Sequence, residues 1–442
     1  MQASKSWKKH FTKKHLRNVF SDKISSSTSV GLDKVSTKNF EQFLDENLDI
    51  ILRKVQNNSY KFTRYKMMLF TKGPAKNPRQ ICVPTIRDKL VSVVINEILT
   101  DVYKSKNLTP LPQKTISDII QNCSAYQCYI KLDIKSFYGS ISHEKLIRIL
   151  KRHIRKNELL HLIENAIQTE ALYFPLQKRN MEYLKREKGI PEGLSISNSL
   201  ANIFLSDVDR KYESMNNIKY YRYVDDILIL ANQSDLKDIK EEIEADIRAL
   251  DLELSNNKCG SGSVVNGFEY LGYKFNQGRV SVRESSILKL EQSVEELFKK
   301  LNGDNNHYIE WKLNLKITGF VWNQHKYGWL FFYSQITDMT ILFHLDHLIK
   351  KFYERYHGNE RLSNTLRVKR FVKSYMEIKN ALHKTKYIPN IDKYTIEHKK
   401  EILTNIYAID LTHTTERYIE FAFSKIMRRE IRDIERDIQH FS

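Results

Sequence analysis

The pattern of apolar and polar positions is clearest at residues 221–230, where two acids interrupt an extended run. Apolar and aromatic residues that favour strands lie on both sides of Asp225 and Asp226. This pattern predicts a strand, a tight turn and a second strand, with both carboxylates projecting from a rigid hairpin. A second extended run, at residues 129–134, carries one central acid, Asp133.

The rest of the chain alternates between helical and extended periodicity. Residues 1–62 are predicted to be mostly helical, with a Ser-rich loop at 25–36 and an amphipathic helix over 39–60 whose apolar face includes Phe43. The remaining predicted elements are a basic β-hairpin at 60–83, helical sequence at 142–170, a basic extended segment at 171–188, a strand pair at 267–275 and helices from 284 onward.

Carboxylates in apolar surroundings need a positive partner, because an unpaired buried charge is costly. A divalent cation is the simplest partner, and hard oxygen ligands favour Mg²⁺, with Mn²⁺ as the alternative. Taken alone, Asp225 and Asp226 are also typical of an ordinary acidic turn. Asp133 changes this interpretation, since two separate strands would then supply the carboxylates that two-metal phosphoryl transfer requires.

Three motifs occur in a fixed order along the chain. Asp-x-x-x-Phe-Tyr begins at Asp133, Gly-Ile-Pro-Glu-Gly covers residues 189–193, and Tyr-x-Asp-Asp ends at Asp226. Together they resemble motifs A, B and C of the reverse transcriptases, and the resemblance covers roughly residues 25–285.

The resemblance implies an α+β fold: a right-hand polymerase with an antiparallel palm sheet, interleaved fingers and a helical thumb and C-terminal region. It divides the chain into an N-terminal extension and fingers at 1–128, a palm at 129–285 and a thumb and C-terminal domain at 286–442. The palm is expected to contain a fingers insertion at about 142–188.

The same resemblance implies roles for individual residues. Asp133, Asp225 and Asp226 are expected to bind Mg²⁺ and to be catalytic, with Lys258 as a proton donor to departing pyrophosphate. The residues expected to bind the incoming nucleotide are Lys72, Arg79, Ile134, Tyr138 and Gly193. Tyr138 occupies the position of the steric gate that would exclude a ribose 2′-hydroxyl. The alternatives are a solvated basic hairpin, a solvated loop lysine and a structural tyrosine.

Motif B departs from the family pattern at two places. Glu192 follows the proline where the family usually has Gln, and Ser197-Asn198 replaces a Ser-Pro pair. Glu192 places a negative charge near the expected sugar or template contact. This departure makes template-independent nucleotide addition an alternative to templated synthesis.

Composition indicates a nucleic-acid partner. The 442 residues include 72 Lys and Arg against 53 Asp and Glu, a formal net charge of +19, which favours a polyanion. No apolar run is long enough to span a membrane, the N-terminus lacks an apolar leader, and the four cysteines lack zinc-site spacing. We therefore expect no membrane association and a cytoplasmic location, which the family resemblance implies is bacterial.

By resemblance, the expected function is Mg²⁺-dependent, RNA-templated DNA synthesis in bacterial antiphage defence. The resemblance is to the unknown-group and abortive-infection reverse transcriptases, which are related to retron and group II intron enzymes. The expected partners are an RNA template or structured noncoding RNA, deoxynucleoside triphosphates and the DNA product, with a homo-oligomer left open. The alternatives are template-independent or protein-primed DNA synthesis, a retron- or intron-derived enzyme, and an RNA-binding scaffold without activity.

Overall fold

The computed structural model describes residues 2–25, 27–70, 78–104, 110–173, 186–301, 305–358, 362 and 366–438. The chain divides into two units, Met1–Pro110 with Ile130–Ser261, and Leu111–Tyr129 with Gly262–Ser442. Helices and strands occur in both units, which confirms the α+β class. The functional division at residues 128 and 285 stays a prediction.

The elements follow in chain order. The α-helices are α1 (Ala3–His10), α2 (Lys13–Val19), α3 (Thr37–Gln42), α4 (Leu44–Gln56), α5 (Ile86–Tyr103), α6 (Pro112–Asn122), α7 (Phe137–Ser140), α8 (His143–Lys151), α9 (Asn157–Gln168), α10 (Ser197–Glu213), α11 (Leu236–Ala249), α12 (Glu284–Lys299), α13 (Asn306–Thr318), α14 (Trp329–Phe332), α15 (Thr340–His357), α16 (Phe371–Asn380), α17 (Ile396–Glu401) and α18 (Glu416–Glu435). The strands are β1 (Tyr65–Phe70), β2 (Arg79–Val83), β3 (Cys128–Asp133), β4 (Ala171–Tyr173), β5 (Lys219–Tyr223), β6 (Asp226–Ala231), β7 (Gly260–Ser263), β8 (Phe268–Tyr270), β9 (Tyr273–Asn276), β10 (Arg279–Val282), β11 (Phe320–Trp322) and β12 (His325–Tyr327).

Two sheets position the candidate site. The smaller sheet has the order β2-β1-β4, in which β1 is antiparallel to β2 and parallel to β4. The larger sheet has the order β5-β6-β3-β7, and β5 and β6 pair as an antiparallel hairpin. The antiparallel pairing of β1 with β2 confirms the two strands of the hairpin predicted at 60–83, and residues 71–77 between them lie outside the described part of the chain.

Burial explains why β6 and β3 are central strands. Residues 227–231 of β6 are all buried, as expected when a short continuous apolar run lies inside a sheet. In β3, Ile130 and Leu132 are buried and alternate with the partly exposed Lys131. Helix α10 packs against α8 and β5. The strand ends that carry the acids are therefore supported by a packed core.

The second unit is mostly helical and contains two antiparallel β-elements. Strands β8, β9 and β10 form a sheet in the order β10-β9-β8, which confirms the strand pair predicted at 267–275. One of its hydrophobic clusters includes Phe320, Phe423 and Met427. No helix among the residues that the structure describes is long and apolar enough to cross a bilayer.

The prediction of one amphipathic helix over 39–60 is wrong in one respect. The segment forms two helices, α3 and α4, which meet at Phe43. Phe43 has a non-helical φ/ψ of −118°/34° and is 57% exposed, so it does not belong to the buried face. Because the chain bends there, the helical phase that placed Phe43 with the apolar residues is lost.

The prediction that the sequence is helical from 284 onward is also incomplete. Strands β11 and β12 form a hairpin whose turn residues, Asn323 and Gln324, have φ values of 49° and 62°. Both turn N–H groups donate to the Asp392 carboxylate, at 2.6 and 2.8 Å. A distant acid therefore stabilises a turn whose Asn-Gln sequence is a weak signal by itself.

The structure describes only part of the basic extended segment predicted at 171–188. Strand β4 covers Ala171–Tyr173 and pairs with β1. Residues 174–185 lie outside the described part of the chain, so most of this expectation stays a prediction.

Candidate active site

The hairpin predicted around Asp225 and Asp226 is present, and its turn consists of two residues. Tyr223 pairs with Asp226 across the strands, so Val224 and Asp225 form the turn. Val224 has a positive φ of 58°, as two-residue hairpin turns commonly require. Asp225 therefore lies at the tip of the hairpin, and Asp226 is the first residue of β6.

An arginine that sequence reasoning did not single out holds this turn. Arg222 Nη1 donates to the Val224 carbonyl oxygen at 2.9 Å. Its Nε and Nη2 atoms donate to the two oxygens of Asp209, at 2.6 and 2.5 Å, which is the bidentate geometry of a strong ion pair. Because the Arg222 side chain is only 9% exposed, this pair ties the turn to α10. The signal in the sequence was a charged residue between two aromatic residues of the predicted strand.

Asp133 lies on the strand next to the hairpin. Strands β3 and β6 are neighbours in the sheet, and the Ile134 N–H donates to the Asp225 carbonyl oxygen at 3.1 Å. Asp133 and Asp225 are both buried, and both other acids act electrostatically on Asp225. The structure therefore brings together Asp133, Asp225 and Asp226 from two segments that are distant in sequence.

The environment of Asp225 disfavours its negative charge. Burial, followed by the charges of Asp226 and Asp133, raises the pKa of Asp225 to about 7. Asp225 Oδ1 is buried and has no hydrogen-bond partner among the residues that the structure describes. An orphaned carboxylate oxygen beside two further carboxylates fits a divalent cation with hard oxygen ligands.

Lys258 contacts an acid of the site directly. Its Nζ donates to Asp133 Oδ2 at 2.8 Å, and its side chain is 58% exposed. Burial alone would lower the pKa of Lys258, but the hydrogen bond to Asp133 and the charges of the three acids raise it. The lysine therefore compensates part of the negative charge, and its exposed stem leaves it able to move.

The residues expected to bind a nucleotide lie in different surroundings. Tyr138 lies in α7, and burial, with the charges of Glu192 and Asp225, raises its pKa to about 12. The Ile134 side chain is only 1% exposed, so it lies in the core and its N–H is already used by Asp225. Lys72 lies outside the described residues.

Arg79 and Glu192 form a pair that the sequence did not predict. Arg79 Nε donates to Glu192 Oε2 at 2.6 Å, and the two side chains are 31% and 28% exposed. The negative charge noted in motif B is thus directed at the arginine that begins β2. Any anionic ligand of Arg79 would compete with Glu192 for the guanidinium.

Gly193 lies in close contact with strand β2. The Cys82 N–H donates to the Glu192 carbonyl oxygen at 2.7 Å. Gly193 has a φ of +104°, and a Cβ added there would lie 2.6 Å from the Cys82 carbonyl oxygen. Only glycine fits this position without a shift of the backbone.

The segment that contains these residues matches a known protein family. Residues 66–275 match the family model described as reverse transcriptase (RNA-dependent DNA polymerase). This region is a reverse transcriptase domain. The domain includes the three acids, Arg79, Tyr138, Gly193 and Lys258.

Relatives of the reverse transcriptase domain are encoded by introns. The group II intron-encoded protein LtrA of Lactococcus lactis subsp. cremoris is 24% identical over 202 residues, which are 44% of this chain and 32% of LtrA. An uncharacterized 91 kDa protein in the cob intron of Schizosaccharomyces pombe is 26% identical over 176 residues, 38% of this chain and 21% of that protein. The domain is homologous to group II intron proteins, and the chain spans about a third or less of the length of these curated relatives.

A solved structure with a similar arrangement is telomerase from Candida albicans, in complex with the TWJ fragment of telomeric RNA. The TM-score is 0.42 and the identity is 12%, over 85% of this chain and 71% of that chain.

Proposed function

We propose that this chain is an RNA-directed DNA polymerase that extends a primer 3′-hydroxyl with deoxynucleotides. The observation that carries the proposal is that Asp133 lies beside the hairpin of Asp225 and Asp226, and that Asp225 Oδ1 is buried without a hydrogen-bond partner among the described residues. Asp133, Asp225 and Asp226 would hold Mg²⁺, or alternatively Mn²⁺. Bound there, the ions would lower the pKa of the attacking hydroxyl and neutralise charge on the triphosphate.

The chain's own cations complete this proposal. Lys258, which donates to Asp133, would turn toward the departing pyrophosphate and give it a proton. The Arg79 guanidinium would release Glu192 and bind triphosphate oxygens instead. Its planar N–H groups can donate to two such oxygens at once. Lys72 would add positive charge to the same phosphates.

Two residues would shape the pocket for the sugar. Tyr138, whose ring is half-buried in α7 beside the site, would exclude a ribose 2′-hydroxyl. Gly193 would let the motif B loop approach the nucleotide. Ile134 would contact the nucleotide only through its backbone, because its side chain lies in the core.

The proposed partners are an RNA template or a structured noncoding RNA, deoxynucleoside triphosphates and the DNA product. The formal charge of +19 supports a polyanionic partner. We also propose that the protein acts in the bacterial cytoplasm in antiphage defence, as the resemblance to defence-associated enzymes suggests. Comparing phage plating on cells with the wild-type gene and with an Asp225→Asn gene tests this role.

A primer-extension assay with the purified full chain tests the polymerase itself. With Mg²⁺, all four deoxynucleotides and an RNA template annealed to a DNA primer, we expect a product whose sequence is complementary to the template. Ribonucleotides should be incorporated poorly. A product of the same length and composition without any template would instead support template-independent addition. Absence of product with every template and primer would contradict the polymerase and favour an RNA-binding scaffold.

The Arg79–Glu192 pair gives a second prediction. Replacing Glu192 with Gln should lower the KM for deoxynucleotides about three- to ten-fold, because a neutral amide competes less strongly for the Arg79 guanidinium. This corresponds to about 1 kcal/mol, a typical energy for a partly exposed ion pair. Steady-state extension with a single deoxynucleotide measures the effect.

Glu158→Gln is the matched control for Glu192→Gln. Glu158 accepts from Lys156 at 2.9 Å in a partly exposed pair at the start of α9, so its replacement should leave the KM unchanged. A Glu192→Gln enzyme with a higher KM would show instead that the carboxylate assists substrate binding.

A further inference from the structure

A cluster of two histidines and two acids lies where the N-terminal helices α1 and α2 pack against α5. His10 ends α1, His15 lies in α2, and Glu97 and Asp101 are one turn apart on α5. His10 is buried, and His15 and Glu97 are partly buried. None of these residues belongs to the candidate active site.

Three ligand-type atoms of this cluster converge on one another. His10 Nδ1 lies 2.9 Å from His15 Nε2, and His15 Nε2 lies 2.6 Å from Glu97 Oε2. His10 Nδ1 and Glu97 Oε2 are 3.4 Å apart. The three atoms therefore form a small triangle in which each atom lies within 3.4 Å of the other two.

When the His10 ring is neutral, one proton in this triangle must serve two acceptor atoms. His10 Nε2 lies 2.9 Å from Asp101 Oδ2, so in the neutral ring the proton is on Nε2 and Nδ1 presents a lone pair. A proton on His15 Nε2 would then have to serve both His10 Nδ1 and Glu97 Oε2. A cation in place of that proton would receive three lone pairs.

We propose that His10, His15 and Glu97 bind a zinc ion. Zinc accepts imidazole nitrogen at about 2.0–2.1 Å and carboxylate oxygen at a similar distance, and two histidines with one glutamate leave a fourth position for water. Tetrahedral bonds of that length separate the ligand atoms by about 3.3 Å. The 3.4 Å edge of the triangle already has this length, and the 2.6 and 2.9 Å edges must open by less than about 1 Å.

The outer contacts of the three ligands have the form expected around zinc. Asp101, which accepts from His10 Nε2, is itself fixed by Ser6 Oγ at 2.8 Å. Lys23 Nζ donates to Glu97 Oε1 at 2.6 Å, which leaves Oε2 for the metal. A carboxylate behind a metal-binding histidine fixes the ring and strengthens its basicity.

Ligand chemistry separates this site from the acids of the active site. Imidazole nitrogen favours zinc and similar transition ions, whereas sites built from carboxylates favour Mg²⁺ and Mn²⁺. The bound zinc joins the two N-terminal helices to α5. Its expected effect is therefore on the stability of this region, independent of the polymerase reaction.

Cobalt is the probe for the experiment, because Co²⁺ replaces zinc and gives visible absorption. Full-length protein is stripped with EDTA and transferred to buffer with excess Mg²⁺, so that the oxygen-ligand sites are filled. We expect one equivalent of Co²⁺ to bind with the absorption of a four-coordinate ion. One equivalent of Zn²⁺ should abolish this absorption and raise the Tm of the wild-type protein.

Ligand variants and a matched control locate the site. His10→Ala and His15→Ala should each lose the Co²⁺ absorption and bind Zn²⁺ at least about 100-fold more weakly. His344→Ala removes an exposed histidine that contacts Glu291 at 3.1 Å and should bind both ions like the wild type.

Two results would overturn the zinc site. The first is a wild-type titration with neither visible absorption nor a rise in Tm, which would identify the cluster as hydrogen bonds and ion pairs only. The second is equal Co²⁺ binding by the wild type and both ligand variants. If a variant fails to fold, the wild-type titration decides by itself.

Discussion

Replacing Asp225 with Asn is expected to lower the rate of nucleotide incorporation by about 1,000-fold or more. The amide is neutral and a weaker ligand for Mg²⁺, and loss of several kcal/mol of charge stabilisation corresponds to about three powers of ten in rate. Asp133→Asn should have a similar effect, since its carboxylate adjoins the same hairpin. Primer extension under single-turnover conditions measures the chemical step.

Glu253→Gln is the matched control for these variants. It also removes one negative charge near β3, but Glu253 is 75% exposed and pairs with the solvated Lys135. Its incorporation rate should stay within about two-fold of the wild type, because an exposed pair contributes little. An Asp225→Asn enzyme that keeps a tenth of the activity would contradict the assignment of the metal ligands.

The same substitution is expected to stabilise the fold when divalent ions are absent. At pH 8 in EDTA, Asp225→Asn should raise the free energy of unfolding by about 2–4 kcal/mol, because each unit of pKa shift corresponds to about 1.4 kcal/mol. The pKa of Asp225 is about 7 in the folded protein, against an ordinary value of 3.8. Between these values the folded protein binds more protons than the unfolded chain, so wild-type stability falls as pH rises.

Urea unfolding at a series of pH values measures this effect. The advantage of Asp225→Asn should be complete well above pH 7 and should be lost as the pH falls below the ordinary pKa of 3.8, where the wild-type carboxyl becomes protonated in both states. Excess Mg²⁺ should restore stability to the wild type more than to the variant. An advantage that is independent of pH would show that ionisation of Asp225 is not its cause.

The parts of the site that are local in sequence could be predicted. Tyr223 and Asp226 pair across a two-residue turn, and the turn and its strands together cover only residues 219–231. Short-range pattern is sufficient there because strand period and turn chemistry indicate the same structure. The position of Asp133 beside the hairpin needed the family resemblance, since pattern alone does not determine strand order.

Contacts between distant segments could not be predicted. Arg79 and Glu192 are 113 positions apart, and no local pattern indicates that their side chains meet. His10 and Glu97 are similarly brought together only by packing of α1 on α5. Phe43 shows the opposite limit, because periodicity identified helical sequence but missed the break between two helices that exposes this ring.

The close approach of Gly193 to Cys82 has a consequence for motion. The backbone hydrogen bond from Cys82 to Glu192 and the absence of any side chain at Gly193 join the motif B loop to the strand that begins with Arg79. A displacement of that strand would carry the loop with it. In the proposed polymerase, Arg79 on that strand and Gly193 in the loop would then reach the nucleotide in one movement rather than in two.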